Sequence, residues 1–343
     1  MNALIAANPV IPMMLTSLEA EIQRVQTYLS EDSISELLDM VNYHFGWEQS
    51  DQSKTGKRIR PLLTLLCCQG TGGDWQQALP AAASIEIIHN FSLIHDDIED
   101  VSKLRRGQPA VWVKWGVAQA INTGDTVFVL ARLLAQRNPT NSLPAEIRLE
   151  ILKSIDQACL ELTIGQHLDI AFEHTDHVSQ DAYLRMISGK TAALLAASCQ
   201  VGAQISNTVP SHRQACYDYG YHLGIAFQMI DDILGIWGDL HATGKHPGDD
   251  IKALKKTLPV ILGIEKSTIF KELWHPDHAR TISADQIKIM VAALDEKSIR
   301  KQVTELARLH TEQALIALQA AKFHKPAADI FLEIAETLLY REK

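Results

Sequence analysis

Two runs of aspartate stand inside otherwise apolar, helix-forming sequence. Asp96-Asp97-Ile98-Glu99-Asp100 follows Phe91-Ser92-Leu93-Ile94-His95, and Asp231-Asp232-Ile233-Leu234 follows Ile225-Ala226-Phe227-Gln228-Met229-Ile230. An unpaired carboxylate in an apolar setting is costly and tends to take up a proton. Both clusters make sense if they share a cation. Asp96 and Asp100 are one helical turn apart and project from one face. Their oxygens are hard ligands that suit Mg²⁺, which keeps several waters and binds through a few carboxylates plus substrate phosphates. Taken alone, the first cluster also fits a solvated acidic helix end.

The basic residues decide between these readings. Gly56-Lys57-Arg58-Ile59-Arg60-Pro61 opens a helix. A helix start favours anions, and Lys57 and Arg60 add fixed positive charge there. Arg105-Arg106-Gly107 comes just after the first aspartate run, and Lys190-Thr191 begins an Ala/Leu-rich stretch. Gly244-Lys245-His246-Pro247-Gly248-Asp249-Asp250 and Lys255-Lys256-Thr257-Leu258-Pro259 follow the second run. Arginine suits phosphate because its planar fork donates two parallel bonds. Each basic group by itself reads as a surface charge. Acidic clusters together with several basic helix ends are what a magnesium–diphosphate site requires. His89 lies two turns before Asp96 on a similar face, as a core histidine or as a donor to an anion. Gln166 and Asp169 put polar groups three apart among apolar neighbours, as a structural pair or a functional one. His167, His174 and His177 have no zinc-like spacing and read as surface histidines.

Helices must position these groups. Apolar periodicity predicts helices over 15–29, 34–43, 61–68, 79–101, 109–134, 144–173, 181–204, 212–237, 259–273, 284–293, 298–321 and 327–339. No alternating strand stands out, and no short repeat. The fold class is therefore all-α, a large bundle whose sites form from side chains on facing helices. No Pro/Gly/Ser-rich linker interrupts the 343 residues, so a single domain over 1–343 is expected, with 1–14 as a flexible N-terminal arm. Arg24 is the first basic residue, which argues against a secretory or transit peptide. No stretch reads as a membrane span, and the expected location is cytoplasmic. The net charge of −9 argues against nonspecific nucleic-acid binding. The five cysteines lack metal-ligand spacing and read as buried thiols.

The ordered set of Gly56 to Pro61, His89, Asp96 to Asp100, Arg105-Arg106-Gly107, Gly165-Gln166-x-x-Asp169, Lys190-Thr191, Phe227-Gln228-x-x-Asp231-Asp232 and Gly244 to Pro259 resembles the trans-isoprenyl diphosphate synthases, which include farnesyl and geranylgeranyl diphosphate synthases. The resemblance implies the isoprenoid synthase-type bundle with a central active-site cavity, a homodimer and three Mg²⁺ ions. It implies Asp96 and Asp100 as ligands of two ions, supported by Asp97, and Asp231 as ligand of the third, with Asp232 beside it. Arg105, Lys190, Gln166, Asp169, Lys245 and Lys255 would hold the allylic diphosphate, Gln166 and Asp169 partly through the metal site. Lys57, Arg60, His89 and Arg106 would hold isopentenyl diphosphate. Thr191 and Gln228 would offer oxygen dipoles to the allylic cation.

One residue departs from the pattern. Gly235 stands where the family's second motif usually has a third aspartate, and Asp239 comes too late to replace it. Restoring the carboxylate by Gly235→Asp is expected to leave the product unchanged. The activity implied is condensation of isopentenyl diphosphate with allylic diphosphates. Phe91, with Ser92 beside it and Ile88 a turn deeper, would form the floor for the growing chain and favour a C20 product, geranylgeranyl diphosphate, with C15 farnesyl diphosphate next. Two other activities remain as alternatives. A class I terpene cyclase would not need Lys57, Arg60, His89 and Arg106. A noncatalytic subunit of a heteromeric synthase would not need an intact Asp96-Asp97-Asp100.

Overall fold

The computed structural model describes residues 10–47, 56, 58–139, 142–238, 247–274 and 282–339. They are helical almost throughout, as the periodicity predicts. The helices are α1 (Val10–Gln23), α2 (Ser35–Phe45), α3 (Ile59–Gly70), α4 (Leu79–Glu99), α5 (Val111–Trp115), α6 (Val117–Ala135), α7 (Ala145–Glu173), α8 (Gln180–Ile187), α9 (Ala193–Ile205), α10 (Pro210–Trp237), α11 (Asp249–Lys252), α12 (Leu258–Lys266), α13 (Thr268–Leu273), α14 (Ala284–Glu296), α15 (Ile299–Ala321) and α16 (Ala327–Leu339).

The chain divides into two compact units where one domain was expected. One is built from residues 2–156 and 198–213, the other from 157–197 and 214–343. The divisions fall within α7, α9 and α10, so no loop composition marks them in the sequence.

In the first unit, α4 packs against α1, α3 and α6. Its N-terminal half is buried on every side from Ala81 to Ile88, which is why it lacks a polar face there. α1 supplies Ile11, Met14, Leu18 and Ile22 to this core at helical spacing. The expected arm over 1–14 is therefore helix from Val10 onward, with Ile11 and Met14 buried; residues 1–9 lie outside the described set. In the second unit, Ile225, Met229, Ile230 and Ile233 of α10 join Tyr183, Leu258, Phe270, Met290, Leu294, Ile299 and Val303 in one apolar cluster.

Several expected helices are interrupted, each for a local reason. Gly116, at φ +84°, separates α5 from α6. Ser267 caps α13 by accepting from Phe270 N at 3.2 Å, which splits the predicted 259–273 helix. The predicted 181–204 helix contains a π turn at Ser188–Ala192. α1 tightens to a 3₁₀ segment over Arg24–Leu29. A two-stranded antiparallel ribbon, β1 (Leu104–Arg105) with β2 (Gln108–Pro109), follows α4. Strands of two residues are too short to leave an alternating pattern.

Candidate active site

The ribbon turns at Arg106 (φ +52°) and Gly107 (φ +77°). Two consecutive left-handed residues make the tight hairpin turn whose twist suits paired strands. It folds Arg105 and Arg106 back onto α4. Arg105 donates from Nε to Asp97 Oδ1 at 3.0 Å and from Nη2 to the same oxygen at 2.5 Å. The Asp97 side chain is only 2% exposed, and burial raises its pKa while Arg105 lowers it. Asp97 thus anchors Arg105. Asp96 is half-buried and Asp100, at the end of α4, is exposed.

Behind this face lies a cluster rich in arginine. Arg58, at φ +50° just before α3, is buried and donates to Glu86 Oε1 at 2.7 Å and Glu19 Oε1 at 2.7 Å. It fastens the start of α3 to α4 and α1. Arg106 Nη2 donates to Asn90 Oδ1 at 3.2 Å. A Cβ on Gly56 would stand 3.2 Å from the same guanidinium nitrogen, so glycine lets the backbone at 56 pass close to it. Arg60 Nε is buried without a hydrogen-bond partner among the described residues. No carboxylate among them forms an ion pair with Arg60 or Arg106. His89 is held well below its ordinary pKa, first by burial and then by Arg60, Arg106 and Arg105. It is neutral at pH 7. Glu86 offsets part of the charge of both guanidinium groups, which are half-buried and have no carboxylate in ion-pair contact among the described residues, and positive charge so placed beside a neutral imidazole suits an anion. Lys57 lies outside the described residues.

The second aspartate run sits in its own network. Asp232 is buried and fully engaged. Its Oδ2 accepts from Tyr183 Oη at 2.6 Å and Leu258 N at 3.1 Å, and its Oδ1 accepts from Gln228 Nε2 at 3.0 Å. Burial nevertheless raises its carboxyl to about 7. Gln228 Oε1 in turn accepts from Thr191 Oγ1 at 2.7 Å. Asp232 is the anchor of this chain of bonds, not a free oxygen donor, and Thr191 keeps its lone pairs for another partner. Asp231, on the next face of α10, is half-buried.

Lys190 lies in the π turn, a feature common at functional sites. Its Nζ pairs with Asp169 Oδ2. Two glycines allow this meeting. A Cβ on Gly165 would be 2.1 Å from Lys190 N, and one on Gly189 would be 2.4 Å from Glu161 O. Gln166 is buried one residue after Gly165. Lys255 is exposed, whereas its neighbour Lys256 is buried and caps the end of α7 by donating to the carbonyls of Phe172, Glu173 and Thr175. Lys245 and Asp239 lie outside the described residues. His167, His174 and His177 are exposed, as surface histidines should be.

Gly235 has a structural reason. A Cβ there would fall 1.9 Å from Asp250 Oδ2 and 2.3 Å from its Cγ. The carboxyl of Asp250 fills the space that a side chain at 235 would need. Nothing in the sequence singles out Asp250, Tyr183, Lys256 or His44, a buried residue of α2 beside the arginines. Tyr183 and His44 leave no local signal. Asp250 and Lys256 sit beside quoted motif residues and were visible only as extra charges.

Phe91 is half-buried, with its ring 5.0 Å from His95 and 5.2 Å from Phe128 of α6. Ser92 and Ile88 are buried, and Ser92 Oγ donates to His89 O at 2.9 Å.

Comparison with known proteins now decides the family. The profile described as Polyprenyl synthetase matches residues 49–292, well over half of the chain. The chain belongs to that family. It is a trans-prenyltransferase with the all-α isoprenoid synthase fold. Among its relatives, the (2E,6E)-farnesyl diphosphate synthase of Mycobacterium tuberculosis is 36% identical over 301 residues, 85% of this chain and 82% of that one. The geranylgeranyl diphosphate synthase of Methanosarcina mazei is 32% identical over 332 residues, 96% of this chain and all of that one. The polyprenyl synthetase of Streptomyces coelicolor superposes with a TM-score of 0.84 at 31% identity, covering 95% and 96% of the two chains.

The enzyme's donor set suits magnesium. Asp96, Asp100 and Asp231 offer hard oxygens and none of them is fully buried. Among the described residues no three His, Cys, Asp or Glu side chains close into a cage. Hard oxygens in such small numbers fit an ion that keeps water and phosphate among its ligands, as Mg²⁺ does.

Proposed function

We propose that the enzyme condenses isopentenyl diphosphate with allylic diphosphates and releases geranylgeranyl diphosphate, C20, as its main product. The observation that carries this reading is the cluster of Arg60, Arg106 and neutral His89. It is an anion receptor separate in the sequence from Lys190, Lys245 and Lys255, and a one-diphosphate enzyme has no use for it.

Asp96 and Asp100 would hold two Mg²⁺ ions and Asp231 a third. The ions supply Lewis-acid neutralisation of charge on the departing diphosphate. Lys190, Lys245 and Lys255 add fixed positive charge toward the same group, and the Lys190–Asp169 pair holds that ammonium in place. Arg105 is held by Asp97, so what it offers an allylic diphosphate comes from the edge of its fork that Asp97 leaves open. Thr191 and Gln228 orient lone pairs toward the developing cation. Arg60, Arg106, His89 and Lys57 fix the isopentenyl group, and fixed orientation lowers the barrier to carbon–carbon bond formation. Apolar walls exclude water that would quench the cation.

Phe91, backed by Phe128, supports a floor at short chain length. Relatives of similar identity are named for C15 and for C20 products. A homodimer fits the exposed apolar stripe of Val117, Ile121, Val129 and Leu133 on α6.

The test is incubation with Mg²⁺, isopentenyl diphosphate and each allylic diphosphate in turn, with chromatography of the dephosphorylated products. A C20 alcohol is expected. A hydrocarbon formed without isopentenyl diphosphate, or a folded protein inactive with every primer, would overturn the reading.

A further inference from the structure

His44 lies on α2 and is 4% exposed, and its Nε2 has no hydrogen-bond partner among the described residues. The groups that face it come from three directions. Arg105 and Arg106 reach it from the hairpin, Arg58 from the start of α3, and Asn90 and His89 from α4. Arg106 Nη1 also donates to His44 O at 3.5 Å. The 3₁₀ segment and α6 meet α2 through other residues, Gln26 bonding Asn42 and Thr123 bonding Met40 Sδ. Lys114 of α5 lies over the Tyr43 ring.

A buried polar atom left without a partner is costly and is rarely retained without a reason. Here there are two in one cluster, His44 Nε2 and Arg60 Nε. Among the described residues they sit with Arg58, Arg105 and Arg106, against the carboxylates Glu19, Glu86 and Asp97. Two orphaned nitrogens in a positive field are completed by an oxyanion.

We propose that His44 is a further ligand of the diphosphate bound by this cluster, contacting it through Nε2. The assignment rests on the isopentenyl diphosphate reading above and adds to it a residue outside all the family motifs found in the sequence.

The protonation state gives the proposal a signature. Asn90 hydrogen-bonds the imidazole and favours its charged form. With Nε2 unpartnered among the described residues, we assign the proton of the neutral ring to Nδ1, on the side of Asn90. In the neutral ring Nε2 then carries a lone pair, which repels an anion. Burial, Arg106 and Arg105 push His44 down to about 3, so the free protein holds the ring neutral at pH 7. A bound diphosphate offsets the arginines and sets negative charge and an acceptor against Nε2, which together oppose the burial that is the first cause of the low value. The ring then takes a proton from solvent at Nε2 and becomes a donor. Anion binding here is coupled to proton uptake.

The experiment is calorimetric titration of the full-length protein with inorganic diphosphate and, separately, isopentenyl diphosphate. It is run from pH 6 to 8 in buffers of different ionisation enthalpy, for wild type, His44→Ala and His44→Gln, with thermal unfolding as a check on folding. Wild type is expected to take up protons beyond those of His44→Gln, which subtracts titration of the ligand itself. His44→Ala should weaken binding of both probes roughly tenfold to a hundredfold, as expected for loss of a bond to a charged group. His44→Gln, which keeps an amide donor, should recover part of that loss. The Michaelis constant for isopentenyl diphosphate should rise in His44→Ala while that for the allylic substrate stays put. Unchanged binding in His44→Ala, equal proton uptake in His44→Gln, or no binding of either probe by wild type would overturn the proposal. If His44→Ala does not fold, His44→Gln decides through proton uptake alone. A wild-type protein that binds inorganic diphosphate through His44 yet never condenses isopentenyl diphosphate would keep His44 and remove the proposed function. Normal condensation with an unchanged Michaelis constant in His44→Ala would do the reverse.

Discussion

Gly235→Asp restores the carboxylate that the family pattern leads one to expect, and the structure predicts that it is harmful. The new Cβ would stand 1.9 Å from Asp250 Oδ2, 2.3 Å from its Cγ and 2.8 Å from its Oδ1. Non-bonded carbon and oxygen do not approach so closely, so the whole Asp250 carboxyl must swing away or the first turn of α11 must shift. Overpacking of this kind costs about 1–3 kcal/mol. The aspartate adds a second cost, because a further carboxyl enters a buried site where Asp250 already raises the pKa of Asp232. A loss of ~1–3 kcal/mol lowers the melting temperature by roughly 1–4 °C for a chain of 343 residues, whose unfolding entropy is about 0.7 kcal/mol/K. Gly235→Ala isolates the steric part, and Gly235→Asp combined with Asp250→Ala removes the collision. Thermal and guanidinium unfolding of wild type, Gly235→Asp, Asp250→Ala and the combined variant forms a double-mutant cycle, in which a favourable coupling between 235 and 250 is expected. If Gly235→Ala and Gly235→Asp both unfold within about 0.5 kcal/mol of wild type, the size of a surface substitution, the packing argument is wrong.

Asp96→Ala or Asp100→Ala should lower turnover by about a thousandfold or more while leaving the melting temperature nearly unchanged, since neither side chain is in the core; near-normal turnover with Mg²⁺ present would remove them from the metal site. Asp232 has a folded pKa raised to about 7, so the unfolded chain ionises first as pH rises and this group's contribution to stability falls between about pH 4 and pH 7, then levels off. Guanidinium unfolding in chelator at a series of pH values should show the stability of Asp232→Asn improving relative to wild type across that window, and a pH-independent difference would refute the assignment. Phe91→Ala should shift products beyond C20, and adding Phe128→Ala should lengthen them further because the two rings stand 5.2 Å apart; an unchanged length distribution in both folded variants would place the floor elsewhere.

Much was legible in the sequence because it depends on local spacing. Helical periodicity located almost every helix, since an apolar stripe must recur with the helical period wherever one face is buried. Asp96 and Asp100 share a face by spacing alone, and the motif order led to the family that the comparisons show. Interruptions were harder to read. Gly116, Ser267 and the π turn at Lys190 alter only a few dihedral angles and leave the apolar pattern nearly intact.

Tertiary structure decided what each polar group does once its neighbours are known. Asp231 and Asp232 are adjacent and identical in type. Only folding buries Asp232 under Tyr183, Leu258 and Gln228 while leaving Asp231 half-buried. Lys255 and Lys256 divide in the same way, one exposed and one spent on the carbonyls that end α7. His44 carried no usable signal, and Gly235 was visible only as a missing carboxylate, because the reason for each is a partner that folding brings against it: Arg106 for one and Asp250 for the other. Local spacing sets which face of a helix a residue occupies, but the cost of burying its charge depends on what the rest of the chain brings against that face.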